Sequence, residues 1–250
     1  MPADRIETDA IVLRRVDYAE RDVIVHLLTR EAGHASVFAK GARGSKRRFR
    51  GGLATFSILH ADLVPRPDKL GRLYGSDVRS VPEGIGSDLH RMAAGAFALD
   101  VTDLALEPGQ GAELYDRLAG FVRWLGAESG GPWRIAAGLL RYELVVLSHL
   151  GVLPDLTRTA RRGRDVALVD EPLYVPMVGI IDPAERHPGE VTWPLTRGAA
   201  AWLATLIAGR FPSEDDPEAR RLLRRAFDAT WHHVLERDPK SRAFLATAFA

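Results

Sequence analysis

Residues 8–40 read TDAIVLRRVDYAERDVIVHLLTREAGHASVFAK. Three runs inside this stretch, Thr8–Val16, Val23–Thr29 and His34–Lys40, are rich in β-branched and apolar residues, and Arg30-Glu31-Ala32-Gly33 has the composition of a turn. Two further runs, Thr55–Val64 and Leu70–Val78, flank the chain-breaking Pro65-Arg66-Pro67-Asp68. Five short strands punctuated by turns predict a small antiparallel barrel or sandwich. Ala10 and Val12 fall on one alternating face and Ile11 and Leu13 on the other, so both faces of the first strand are apolar. That pattern predicts a barrel packed inside and partly covered outside.

From about residue 86 the apolar period changes to that of helices. Helical spacing covers Asp88–Glu107 (with Ser87 or Asp88 as N-cap), Glu113–Glu128, Pro132–Leu150, Leu195–Phe211 and Pro217–Arg237. The third of these is apolar around most of its girth, which predicts a central position in a bundle. Between the helices, Pro154–Pro194 holds six of the fifteen prolines and short β-like runs at Asp165–Val169 and Leu173–Val175. It reads as an irregular inserted subdomain. The fold class is therefore α+β. Residues 1–80 form a β domain, 81–153 and 194–250 a helical domain, and 154–193 an insert.

The chain of 250 residues carries 34 Lys/Arg and 33 Asp/Glu, with 46% apolar residues, which excludes disorder along its whole length. It has no cysteine, so disulfides, thiolate metal sites and cysteine nucleophiles are excluded. The longest stretch free of charge, Gly198–Gly209, is too short to span a bilayer, and the N-terminus lacks the apolar core of a signal peptide. A reducing cytoplasm is the expected compartment. The balance of charge conceals an asymmetry: residues 1–80 hold 15 cations against 10 anions, and the remainder 19 against 23.

The basic excess concentrates in Lys40–Arg50, KGARGSKRRFR, where six of eleven residues are cationic and none is acidic. Lying between two strands, this segment reads as a surface loop kept flexible by Gly41 and Gly44. Lys40, Arg43, Lys46, Arg47, Arg48 and Arg50 would neutralise neighbouring phosphates, and Phe49 would either stack on an unpaired base or anchor the loop in the core. Arg14 and Arg15 are further candidates, although consecutive strand residues face opposite ways, so one of the two should contribute. The glycines miss the spacing of a nucleotide-triphosphate loop, and Gly84-Ile85-Gly86 lacks a dinucleotide fingerprint. His232-His233 point about 100° apart on a helix and do not chelate one ion. Asp182, Glu185 and His187 read as exposed polar loop, no catalytic constellation is present, and no cofactor is implied. The class expected is not an enzyme.

The order of segments carries a resemblance. Thr8 to Leu13 is followed by Asp17-Tyr18-Ala19-Glu20-Arg21-Asp22, Leu27 to Gly33, Ala39 to Arg43, Ser45 to Phe49 and Leu53-Ala54-Thr55-Phe56. This closely resembles the start of bacterial RecO recombination mediators, and more loosely continues through Tyr142-Glu143 to Leu153-Pro154. The resemblance implies that the barrel is an OB-fold followed by a helical domain. It implies binding of single- and double-stranded DNA, annealing of complementary strands, and cooperation with RecR in helping RecA replace single-strand-binding protein (SSB). It also implies a nucleoid-associated cytoplasmic protein in DNA repair. The SSB tail, acidic and aromatic-ended, would need an apolar groove with a basic rim; Arg220, Arg221, Arg224 and Arg225 are candidates for that rim. In many relatives the insert is a four-cysteine zinc module. Here Thr159, Arg162, Asp182 and Glu185 stand at the cysteine positions, so a thiolate zinc site is impossible. An ion pair from Arg162 to Asp182 or Glu185 is expected in its place. Two other readings of the residues remain open: an OB-fold RNA-binding protein, and a scaffold whose basic loop docks on an acidic protein.

Overall fold

The computed structural model describes residues 4–45 and 47–249. Close packing groups the chain into two compact units, Met1–Ala127 with Pro239–Ala250, and Glu128–Asp238.

The first unit is built on six strands: β1 (Ile6–Tyr18), β2 (Asp22–Thr29), β3 (Gly33–Ala39), β4 (Phe49–Arg50), β5 (Ile58–Val64) and β6 (Gly71–Ser80). Strand order is β3-β2-β1-β5-β6-β4, and a parallel pairing of β3 with β6 closes β1, β2, β3, β6 and β5 into a barrel. This is the OB-fold topology. Alternation fills the interior: Ala10 and Val12 from β1, Val23, Val25 and Leu27 from β2, Val37 from β3, and Leu59 and Leu63 from β5 are essentially inaccessible to solvent. The opposite face is apolar too, and Ile11 and Leu28 there are fully buried. Helices α1 (Leu89–Ala105) and α2 (Tyr115–Ala127) pack on β1, which accounts for the two-sided apolar pattern.

The fourth expected strand starts later than the sequence suggests. Phe56 has a left-handed backbone (φ 70°), and Thr55–Ser57 make a turn tied to β1 by Phe56 N to Val12 O and Val12 N to Ser57 O bonds. Phe56 is aimed at Gly95 in α1: a Cβ there would lie 2.7 Å from the Phe56 ring and 3.1 Å from Leu125. A mid-helix glycine costs about 1 kcal/mol of helix stability, and the close seating of this ring is what requires it. Asp88 is the cap of α1, accepting the Arg91 backbone N–H. A short α6 (Arg242–Ala248), which the sequence reading did not anticipate, belongs to this unit through Ser241, whose N and Oγ both donate to Asp100.

Asp103 of α1 accepts from His26 Nδ1 at 2.7 Å and His34 Nε2 at 2.8 Å, both on one carboxylate oxygen. The three ligand-type atoms lie within 4.8 Å of one another. A ligating imidazole normally has its second nitrogen oriented by a partner, whereas His34 Nδ1 is buried without one among the described residues, so we read a hydrogen-bonded clip joining helix to barrel. Burial pushes the Asp103 carboxyl up, but the hydrogen bonds from His26 and His34 outweigh it and hold the group well below the usual carboxylate range. A depressed acid contributes stability above its unfolded pKa of about 3.9 and loses it as pH falls toward the folded value. Asp103→Ala strands two donors and is expected to cost about 2–4 kcal/mol at pH 7. Asp103→Asn, which keeps an acceptor, should cost less. Chemical unfolding measures both; an unchanged midpoint for the alanine variant would remove the clip from the account.

The second unit holds α3 (Pro132–His149), α4 (Arg197–Ile207), α5 (Pro217–Val234) and the insert, whose strands β7 (Leu173–Val175), β8 (Gly179–Ile181) and β9 (Trp193–Pro194) pair in the order β8-β7-β9. Pro132 opens α3, and Thr196 and Asp216 cap α4 and α5. The run Asp165–Val169 is not a strand: Asp165 caps a single 3-10 turn over Val166–Leu168.

Arg162 is not the expected clip of the insert. It is exposed and bonds neither carboxylate; Arg164 pairs with Asp182, and Arg161 pairs with Glu190 and donates to the Glu185 carbonyl. The turn over these residues brings Arg161, half-buried, and Arg164, exposed, to the carboxylates instead. Beneath them, buried Thr159 donates to buried Glu185 at 3.1 Å, and Asp182 and Glu185 form a reciprocal capping box. These donors do not fit zinc: one position is a cation, and both carboxylates are engaged by the protein's own N–H and hydroxyl groups.

Candidate nucleic-acid interface

Register in β1 decides where its two arginines go. The pairing with β2 shifts between Val12 and Arg14, so Leu13 is an extra residue and β1 bulges there. Beyond the bulge Arg15 pairs with core-facing Val25, while Arg14 pairs with His26 on the outer face. β1 and β2 then overshoot the closed barrel as a ribbon ending at Tyr18 and Asp22.

The basic loop packs against the base of this ribbon, and it is stapled rather than loose. Gly41 takes a left-handed backbone (φ 67°) and donates to Asp22 at 2.6 Å; Arg43 N reaches the Arg21 carbonyl; Gly44 N returns to the Gly41 carbonyl. The glycines therefore make turns, not slack. Arg48 donates to the Lys40 carbonyl at 2.7 Å and lies over the Phe49 ring. Phe49 is 3% exposed and belongs to the barrel core. Its anchoring role is the one the structure gives it; as placed, it has no ring face to offer a base. Lys46 lies outside the described residues.

Lys40, Arg47 and Arg50 are exposed, and among the described residues none has an ion-pair partner. A cleft of about 460 Å³ opens beside the loop at the barrel end, floored by Val23, Phe49 and Leu53 and rimmed by Arg15 and Arg43. Asp17 holds both rim arginines, at 2.9 Å from Arg15 and 4.0 Å from Arg43. The structure thus brings Arg15 and Arg43 to one cleft, beside the loop that carries Lys40, Arg47, Arg48 and Arg50, and separates Arg14 onto the opposite side of the ribbon.

On that opposite side the sequence reading passed over an apolar row. Val16 pairs with Ile24, Ile24 with Phe38, and Phe38 with Arg72, so four strands present these side chains in line on the outer face. Val16 is 37% and Tyr18 55% exposed, and the Tyr18 and Phe38 rings meet edge to face at 5.9 Å. The signal was available as alternation: Arg14, Val16 and Tyr18 share parity beyond the bulge.

In the second unit Arg224 does not belong to a free basic rim. Its guanidinium makes two bonds of 2.8 Å to fully buried Glu143 and a third contact to Asp228. Arg220 is paired with Asp215 and Arg221 sits 3.8 Å from Glu218; Arg225 is exposed.

Comparison with known proteins gives two family matches that together span most of the chain: Recombination protein O N terminal over residues 1–81 and Recombination protein O C terminal over residues 86–243. A DNA repair protein RecO of Anaeromyxobacter sp. (strain K) is 36% identical over 97% of this chain and 96% of its own length. The RecO of Exiguobacterium sibiricum is 31% identical over 89% of each chain, and that of Myxococcus xanthus (strain DK1622) 37% identical over 60% of this chain and 61% of its own.

Proposed function

The chain belongs to the RecO family of DNA repair and recombination proteins, and from that premise we propose that it binds single- and double-stranded DNA and anneals complementary strands without nucleotide hydrolysis. The observation that carries this reading is the stapled loop with its outward Lys40, Arg47 and Arg50 beside the Arg15–Arg43 rim. Annealing brings two polyanions together. Fixed cations offset phosphate repulsion, and contacts confined to the backbone leave base edges free to pair. Placing the loop on turns rather than on a mobile tether lowers the entropy lost when DNA is held. No helix among the described residues is long and apolar enough to cross a membrane, and a nucleoid-associated cytoplasmic protein is part of the same proposal.

With RecR as partner, the protein would help RecA load on DNA covered by SSB. The acidic SSB tail would meet the second unit at Arg221 and Arg225, the members of the basic helix face not committed to burial. No catalytic role is assigned to any residue.

The test is a titration of single-stranded DNA against salt, followed by an annealing assay without ATP. Log affinity should fall linearly with log salt by about 0.7 per phosphate neutralised. Asp17→Asn releases Arg15 and Arg43 and should raise affinity about two- to fivefold at low salt, the size of an exposed ion pair. Flat salt dependence in the wild type would defeat the DNA reading and favour a protein-docking loop. Preferential competition by RNA of the same sequence would move the assignment to RNA.

A further inference from the structure

We propose that Asp22 is a positioning residue for DNA binding: an acid beside an anion-binding loop whose carboxylate sets that loop in place, so that removing it weakens the grip on phosphate instead of strengthening it. The proposal rests on the DNA-binding reading above and assigns to that site the residue that shapes it.

A dense run of cations does not hold a shape by itself. Lys40–Arg50 carries six cations and no acid, and like charges at this spacing push the chain apart. The counter-charge has to come from elsewhere in the chain. Asp17, Glu20 and Asp22 belong to the end of the β1–β2 ribbon, and Asp77 of β6 lies opposite Arg50. Their roles differ. Asp17 meets side chains, those of Arg15 and Arg43. Glu20 is exposed in the turn of the ribbon, and Asp77 is exposed on its strand. Asp22 is half-buried and takes the Gly41 N–H at 2.6 Å; among these acids and the described residues it is the one whose carboxylate accepts from the loop's backbone.

What Asp22 holds is one peptide unit. The Lys40–Gly41 peptide donates its N–H to Asp22, and its C=O accepts from Arg48 at 2.7 Å. The anion sits at the positive end of the peptide dipole and the cation at the negative end, so both contacts are charge-assisted and reinforce each other. At this peptide the chain leaves β3 and becomes the loop. Gly41 has a φ of 67° there. Glycine visits that region and its mirror about equally, so the bond to Asp22 selects the turn. A second bond comes from the same ribbon end, Arg43 N–H to the Arg21 carbonyl at 3.1 Å, and on the far side Ser76 N–H ties the Arg48 carbonyl to β6. Arg21 and Asp22 thus form a template on which the first turn of the loop is cast. Fixing the loop by its backbone leaves Lys40 and Arg47 exposed for phosphate. Two acids of one ribbon end therefore have opposite expected effects: Asp17 competes with phosphate for guanidinium groups, whereas Asp22 orders the chain that carries them.

The experiment compares wild type, Asp22→Asn and Asp22→Ala in binding an oligothymidylate over a range of salt. Asparagine and alanine remove the same charge, so their ratio is free of the electrostatic gain. Asparagine keeps an oxygen for the Gly41 N–H and alanine does not. Asp22→Asn should bind at least as tightly as wild type. Asp22→Ala should bind roughly tenfold more weakly than Asp22→Asn, and more weakly than wild type, the size of one net hydrogen bond that orders the site. The two variants should share one slope of log affinity against log salt, because the cations remain and only the cost of arranging them changes. Amide exchange reads the cause: Gly41 and Arg43 should exchange faster in Asp22→Ala than in Asp22→Asn, while Val25 and Val37 of the barrel core stay protected. If Val25 and Val37 lose protection, Asp22→Ser, whose hydroxyl ends one bond short of the carboxylate oxygen, takes the place of alanine with the same expectation. Equal affinity of the asparagine and alanine variants overturns the proposal. So does a shallower salt slope in the alanine variant, which means that cations have been lost and not merely disordered. In both cases a steep wild-type slope leaves the DNA reading intact, whereas a flat one removes that reading and the proposal with it.

Discussion

Changing Lys40, Arg47 and Arg50 together to alanine is expected to weaken single-stranded DNA binding by about 500-fold at 50 mM salt and about 30-fold at 200 mM, with the curves converging near 1 M. The figures follow from counterion release. Three lost single-strand phosphate contacts flatten the slope of log affinity against log salt by about 2, and that difference accumulates as salt is lowered. These three cations are chosen because they are exposed and unpaired among the described residues, so their removal takes nothing from the loop's own scaffold. Arg48 is a different kind of test. It is bonded to the Lys40 carbonyl and lies over Phe49, so Arg48→Ala removes a staple together with a charge, and Arg48→Lys should restore the charge without the bond. Parallel salt curves for the triple variant and wild type would show that DNA does not use this loop.

That test could be framed from the sequence only in part. The barrel was legible because each strand repeats the same alternation, and Val12, Val25 and Val37 fall inside it by parity alone. The basic loop was legible because charge density needs no geometry to be seen. What could not be read was anything set by register. One extra residue at Leu13 turns Arg15 toward the cleft and Arg14 to the outer face, and no local pattern announces a bulge. Phe49 belongs to a two-residue strand pairing with Ser76, so its ring goes into the core instead of toward solvent. Tyr18 and Phe38 meet across two strands, a contact visible only once both are in place. In the insert, the expectation of an ion pair in place of metal had the right chemistry and the wrong residue. Arg161 and Arg164 flank Arg162, and the direction of each side chain was decided by a turn that composition does not encode.

The same limit explains why Arg224 read as a surface cation, and it leads to the largest stability effect expected in the molecule. Glu143 lies 81 positions earlier, on α3, and is fully buried. Burial pushes its carboxyl up, and the Arg224 guanidinium and the Trp231 indole N–H at 2.6 Å push it back. Burial alone would pull Arg224 down, yet Glu143 and Asp228 hold it charged, above its ordinary value. The two partners are therefore worth little as an ornament and a great deal as a matched set, because either alone is a desolvated charge. Arg224→Ala is expected to destabilise the second unit by about 3–5 kcal/mol, whereas Glu143→Met with Arg224→Met should cost less than the sum of the single changes, the remaining cost coming from the Trp231 N–H and Asp228 that lose their partners. In Arg224→Ala the upward push on Glu143 is unopposed by the guanidinium, so the folded state holds a proton that the unfolded state releases. Its deficit should shrink as pH falls from 8 toward 5, since stability rises with falling pH wherever the folded state binds more protons. Four of the five tryptophans, Trp133, Trp193, Trp202 and Trp231, lie within Glu128–Asp238, so urea unfolding followed by tryptophan fluorescence reads this unit directly. A loss under about 1 kcal/mol for Arg224→Ala, or a double variant as unstable as the sum of the singles, would mean that the pair is not coupled in the folded protein, and would return Arg224 to the exposed face of α5 as a candidate for the SSB tail.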